Sequence, residues 1–235
     1  NETSHKEYAL TVQDIVELLL DYNYLKEATL LAQTTMEKAL CEDWKAPTRL
    51  IVQSLLAECL RGEGRFEEAS KELNRMLDEN PYDVSSWLNL GNVYNQMEKF
   101  NDAIDALDYA LAIEPHNLDA LFSKGHSYAL LGNEEHALNL YRTCLDNGYD
   151  KALASYTCGV METAICHFHE SIPHLEYAYK VYGDLSIYSF SICFNLALSY
   201  IEVGDIKHAA EYYHRAFKID PNDEGLSDLL GRMEK

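Results

Sequence analysis

Pro81 and Pro115 are separated by a spacing of 34, and each closes an acidic stretch, Asp78-Glu79-Asn80-Pro81 and Ile113-Glu114-Pro115. Pro221 closes a third, Ile219-Asp220-Pro221, at a spacing of 106 from Pro115, which is three periods of 34 and four positions more. A period of 34 with one four-residue insertion accounts for all three. It confines the chain to architectures assembled from one recurring supersecondary unit.

Cut into such blocks, the sequence repeats its side chains as well as its prolines. Block 84–117 carries Trp87, Leu90, Gly91 and Tyr94, then Ala103, Leu107, Ala110 and Pro115; block 118–151 carries Leu121, Gly125, Tyr128, Ala137, Tyr141 and Cys144. Block 50–83 gives Leu56, Ala57, Leu60, Ala69, Leu73, Met76 and Pro81, and block 190–223 gives Leu196, Ala197, Tyr200, Ala209, Tyr213, Ala216 and Pro221. Block 152–189 is the weakest, with Cys158, Gly159, Ser171, Leu175 and Ala178, and the insertion falls near Gly183–Ser189.

Bulky residues at i, i+3 and i+7 in each first half lie on one helical face, and the second half repeats small, large, small at i, i+4, i+7. Small side chains on facing stripes let two antiparallel helices approach closely while the large ones fill the gaps. The closing proline cannot continue the second helix and turns the chain into the next pair. One pair cannot cover its own apolar stripe, so stacked neighbours must supply the core.

The run Trp87-Leu88-Asn89-Leu90-Gly91-Asn92-Val93-Tyr94, ending at Pro115, resembles the tetratricopeptide repeat, with Leu107 where an aromatic is usual. The resemblance covers about residues 50–223 and extends more loosely to both ends. It implies an all-α fold, a right-handed superhelical solenoid of antiparallel helix pairs, and a non-enzymatic scaffold that holds a peptide or protein segment in a concave groove. It does not name the partner, because the scaffold serves many.

The expected organisation is an N-terminal tail at 1–10, a degenerate helical hairpin and connector at 11–49, and an array at 50–223 (50–83, 84–117, 118–151, 152–189, 190–223). Residues 224–235 form a capping helix or a truncated further repeat, on the apolar face of Leu226, Leu229, Leu230 and Met233. Thr11-Val12-Gln13-Asp14 resembles a capping box, which starts the first helix just after Thr11. Glu42–Arg49, with Pro47, is the expected connector. The chain begins without methionine, which leaves open that it is a segment of a longer array.

In tetratricopeptide arrays the first helices line the groove. The position after Trp87 reads Ser54, Leu88, Phe122, Tyr156 and Phe194 in successive blocks; four positions on, the series is Glu58, Asn92, His126, Val160 and Leu198. We expect partner binding at Leu88, Asn92, Phe122, His126, Tyr156 and Phe194. The alternative is that the three aromatics pack between blocks. Chaperone-binding members of the family grip a terminal carboxylate with basic residues at set groove positions. The corresponding windows here, such as Ser54, Glu58, Asn89, Asp119 and Ser123, supply no lysine or arginine, which argues against such a clamp.

With 39 acids against 19 bases the net charge is −20, which opposes nucleic acid or an anionic membrane as main partner. No stretch is apolar enough to insert in a membrane. Asp102, Asp105 and Asp108 read as a solvated outer face of a second helix. Six cysteines without a C-x-x-C pair suit reduced thiols in a cytoplasm, with Cys144, Cys158 and Cys193 as small buried hydrophobes. Asn1-Glu2-Thr3 fits a glycosylation acceptor, weak evidence at a terminus.

The alternative functions are a metal-binding or catalytic protein centred on Cys166, His167, His169 and His174, and a structural segment that self-associates through the ends of the stack. The histidine cluster matches no standard zinc spacing and falls at a helix–helix turn, where exposed histidines are expected. No phosphate loop, serine elbow or metalloprotease motif appears. The sequence therefore points to no enzyme, no metal and no cofactor.

Overall fold

The computed structural model describes residues 2–234, so Asn1 of the glycosylation tripeptide lies outside the described residues. Among these residues the fold is all α. The helices are α1 (Glu2–Asp21), α2 (Leu25–Cys41), α3 (Ala46–Gly62), α4 (Phe66–Glu79), α5 (Val84–Gln96), α6 (Phe100–Ile113), α7 (Leu118–Leu130), α8 (Glu134–Asp146), α9 (Lys151–Ala164), α10 (Phe168–Tyr182), α11 (Ser189–Glu202), α12 (Ile206–Ile219) and α13 (Gly225–Met233). They form two compact units, residues 1–123 and 124–235, with the unit boundary inside α7. In the first, each of α1 to α6 packs on its neighbour in sequence and α1 also meets α3. In the second, α8 to α13 do the same, with α11 touching both α9 and α13. That nearest-neighbour order is the one stacked helical pairs require.

The facing small and large residues interlock as their spacing predicts. A Cβ on Gly91 would lie 2.6 Å from Leu107 Cγ, one on Gly125 2.9 Å from Tyr141 Cε1, and one on Gly159 2.5 Å from Leu175 Cγ. Leu107 and Leu175 are fully buried and Tyr141 nearly so. Each glycine is therefore the socket for the large side chain of its partner helix. The prolines keep their role: the Trp87 indole donates to the Pro81 carbonyl at 2.8 Å, which fastens the inter-pair turn to α5, and the Trp87 ring stacks on Tyr109 at 4.6 Å. Asp83, Asn117 and Asp150 cap the following helices by accepting from the amides of Ser86 (3.1 Å), Ala120 (2.9 Å) and Ala152 (3.0 Å).

The turn inside each pair carries the period most plainly. Residues 64, 98, 132, 166 and 204 all have positive φ, and their spacing is 34 until the last interval of 38, which contains the insertion. The following amide closes the turn onto the first helix, as in Lys99 to Tyr94 at 2.9 Å and His167 to Glu162 at 2.7 Å. Three of these positions are glycine, but Glu98 (φ 59) and Cys166 (φ 62) are not. A side chain in the left-handed region costs about 1–2 kcal/mol, partly offset by glycine's extra unfolded freedom. Glu98→Gly and Cys166→Gly should each stabilise the chain by about 0.5–1 kcal/mol, read as a higher urea midpoint; a fall in midpoint at both would contradict the strain.

Two boundaries differ from expectation. The first helix begins at Glu2, so residues 2–10 are helix and not tail; the Thr11 hydroxyl donates to the Glu7 carbonyl at 2.9 Å, an in-helix bond, and caps nothing. The connector shortens to residues 42–45 because Pro47 serves in the first turn of α3 instead of breaking it. Pro173 stands at the sixth residue of α10, past the first turn, and the helix runs through it on an exposed face. The insertion is the loop 183–188 between α10 and α11.

The thiols at core positions are buried: Cys59, Cys144, Cys158 and Cys193 are all 0% exposed. Burial, aided by nearby acids, pushes Cys59 up to about 11 and Cys158 and Cys193 up to about 12, so all three stay protonated and unreactive. Asp102, Asp105 and Asp108 are exposed along α6. Among the described residues no helix is long and apolar enough to cross a membrane.

Candidate functional site

In the first unit, α3 and α5 present their first-helix faces side by side, and two adjoining open concavities of about 260 and 290 Å³ lie there. Ser54, Ser85, Asn89 and Leu73 line both; the smaller adds Glu58 and Arg61, the larger Asn80 and Asp83. The Ser54 hydroxyl is spent on the Ile51 carbonyl at 2.9 Å, whereas Ser85, Asn89 and Glu58 are exposed. The floor is apolar and the rim supplies amide, hydroxyl, carboxylate and guanidinium groups, a mixture suited to a peptide-like segment. Ser54 and Glu58 belong to the two ladders, but Ser85 and Arg61 were not foreseen. Arg61 follows Glu58 by three positions, which puts it on the same helical face; that spacing could have found it.

The six ladder residues meet different fates. Leu88 is half-buried and packs against the Leu107, Ala110 and Ala120 cluster. Asn92 on α5 and Phe122 on α7 are half-buried, and His126, one turn after Phe122, is exposed. In the second unit the Tyr156 hydroxyl donates to Ser191 Oγ at 3.0 Å and its ring lies 4.9 Å from Tyr188. Phe194 packs beside the cluster of Cys193, Ala197, Leu226 and Leu229, and a Cβ on Gly225 of α13 would lie 2.8 Å from its ring. Tyr156 and Phe194 thus hold successive helices together as well as facing outward in part.

The histidine cluster divides. Cys166, His167 and His169 are exposed at the start of α10, whereas His174 turns inward and its Nδ1 lies 2.7 Å from Glu162 Oε2. Among the described residues no group of three or more His, Cys, Asp or Glu is placed to hold a metal ion.

Glu162 itself is the site the periodicity concealed. Its side chain is 0% exposed, and Arg142 Nη2 donates to Oε1 at 2.8 Å from the opposite side. Burial opposes its ionisation, but the His174 and Arg142 hydrogen bonds outweigh that and hold the carboxyl below the usual carboxylate range. Beside it, the hydroxyls of Thr163, Ser199 and Ser171 form a buried chain, with Ser171 and Ser199 at 2.7 Å and Thr163 and Ser199 at 3.2 Å. These polar contacts link α8, α9, α10 and α11 around a fully buried carboxylate.

Family models of the tetratricopeptide repeat match residues 84–117, 118–147 and 190–223. A peroxisomal targeting signal receptor of Kluyveromyces lactis is 26% identical over 167 residues, covering 71% of this chain and 29% of the receptor. The chain spans less than a third of the length of such curated relatives. Among solved structures, Pseudomonas aeruginosa pilF superposes with a TM-score of 0.81 at 12% identity, over 99% of this chain and 100% of that one. YrrB, described as a TPR protein with an unusual peptide-binding site, gives 0.64 at 18% identity over 79% and 92%. At such identities the structural likeness speaks for the fold alone.

Proposed function

Since this chain belongs to the tetratricopeptide repeat family, we propose that it is a non-enzymatic scaffold that holds a peptide or protein segment against the first-helix faces of its pairs. The pair of concavities on α3 and α5 supports this reading: a preformed, mixed apolar and polar surface to which the two ladders contribute Ser54 and Glu58. A preformed site spends little entropy on ordering itself, so the partner bears most of that cost. The array is taken as 50–223, with Leu88, Asn92 and Phe122 contributing in the first unit and His126, Tyr156 and Phe194 in the second. Tyr156 and Phe194 also tie neighbouring helices together, so they serve the fold as well as this surface. All six cysteines are unbonded thiols, which agrees with a reducing compartment such as the cytoplasm.

The partner is to be recovered from source lysate and its affinity measured for wild type and for Asn92→Ala combined with Phe122→Ala. We expect a loss of about tenfold or more, equivalent to roughly 1.4 kcal/mol, with helicity retained. Equal affinity for both proteins would remove the first-helix faces from consideration.

A further inference from the structure

The inserted loop and α12 create a surface unlike the rest of the protein. Leu185 is 100% exposed and Ile187 89% exposed, on a loop that is tightly tied at its base. Ser189 Oγ donates to the Gly183 carbonyl at 2.6 Å, and the amides of Ser186 and Tyr188 donate to Ser189 Oγ (3.0 Å) and Ser186 Oγ (3.2 Å). The Tyr179 hydroxyl donates to Asp184 and accepts from Arg215, whose other nitrogen reaches Glu211 at 2.8 Å. The loop therefore presents two apolar side chains from a fixed frame, with Asp184 and Arg215 occupied as struts.

The helix beside it reverses the sign of the protein. α12 carries Lys207, Arg215 and Lys218 against Glu211 alone. Its counterparts do the opposite: α6 has Asp102, Asp105 and Asp108 and no base, and α8 sets Glu134, Glu135 and Asp146 against Arg142. α4 and α10 are likewise acidic, and α2 is balanced. Between loop and helix lies an open concavity of about 910 Å³, lined by Asp184, Leu185, His214, Arg215, Lys218 and Ile219. Lys218 and His214 are exposed at its edge.

We propose that this concavity is a second docking surface, separate from the first-helix faces, for an acidic protein segment bearing a leucine, isoleucine or phenylalanine. The apolar residue packs on Leu185 and Ile219, and flanking carboxylates meet Lys218 and His214. Charge complementarity selects this occupant. A nucleic acid or an anionic membrane extends far enough to meet the whole net charge of −20, whereas a short segment feels charges within a screening length of about 8 Å. A loop backbone already tied at its base adds little further ordering cost, and its exposed apolar side chains release their water on contact.

The test uses the full chain and a displayed library of random dodecapeptides, followed by a synthetic peptide of the recovered consensus. We expect sequences that combine Asp or Glu with Leu, Ile or Phe. The synthetic peptide should weaken with added salt and lose at least tenfold in affinity against Lys218→Glu with Leu185→Asp, and less against Lys218→Gln. Asn92→Ala with Phe122→Ala should bind it like wild type. All substituted side chains on this surface are exposed, so an unchanged circular dichroism melt checks that the fold survives. The proposal falls if no acidic-apolar consensus emerges, if affinity is the same for the loop–helix variants, or if only the Asn92 and Phe122 variant loses binding. It also falls if the Lys218 and Leu185 variant instead abolishes a concentration-dependent dimer in sedimentation, or binding to phosphatidylserine vesicles at physiological salt.

Discussion

Gly159→Val is expected to destabilise the chain by about 3 kcal/mol, read as a lower urea midpoint. The added branch would start from a Cβ only 2.5 Å from Leu175 Cγ and 3.3 Å from the Leu175 backbone nitrogen. Leu175 is fully buried, so it has no open space into which to move. Helix propensity favours the replacement of glycine by up to about 1 kcal/mol and cannot offset the clash. Two companions make the measurement decisive. Gly159→Val with Leu175→Ala should recover part of the loss, because the socket and its knob are exchanged. Gly231 stands at the same repeat position, one full period after Ala197, yet beyond its chain neighbours and the backbone of its own helix no atom lies within 4 Å of where its Cβ would be. Gly231→Ala should therefore stabilise α13 by up to about 1 kcal/mol. Destabilisation of similar size at both glycines would show that helix propensity and socket packing have been misassigned.

Glu162→Gln should cost about 3 kcal/mol at neutral pH, the lower part of the range for breaking a buried ion pair. Arg142 and His174 keep 43% and 30% of their side chains exposed, so both can turn to water when the carboxylate is gone. The substitution also identifies a pH dependence. Burial works against the Glu162 carboxylate but its two donors prevail, so its folded pKa lies below its unfolded value. Its contribution is then complete above the ordinary glutamate pKa of about 4.3 and is lost as pH falls through the lower folded value. Wild type should lose stability over that acid window more steeply than Glu162→Gln. Parallel acid profiles for the two proteins would show that Glu162 does not carry the effect.

The repeat was legible because its determinants are local. A small residue one place after a large one, a proline at a fixed distance and a turn residue between them recur within a single period. The positive-φ positions 64, 98, 132, 166 and 204 preserve that count, insertion included. Reading failed where the same residue types can do two things. Thr11 heads a capping-box pattern but bonds back to Glu7 within a helix already formed. His174 reads as one of a cluster near a turn, and helical rotation separates it from His167 and His169.

The candidate surfaces were legible only as positions. Ladder counting placed Ser54 and Asn92 on first-helix faces, but exposure depends on what the next helix sets against each side chain. Phe194 packs towards α13, where a Cβ on Gly225 would lie 2.8 Å from its ring, a contact that ladder counting does not reveal. The net charge of −20 likewise gave no sign of the basic face on α12. The sequence by itself determined the pairs, their period and their turns, since these depend on spacing along a single helix or hairpin. Only the tertiary structure decided which side chains are buried, ionised or open to a partner. Glu162 shows why: Arg142 and His174 reach it from two different helices, at sequence separations of 20 and 12, and neither separation belongs to the repeat.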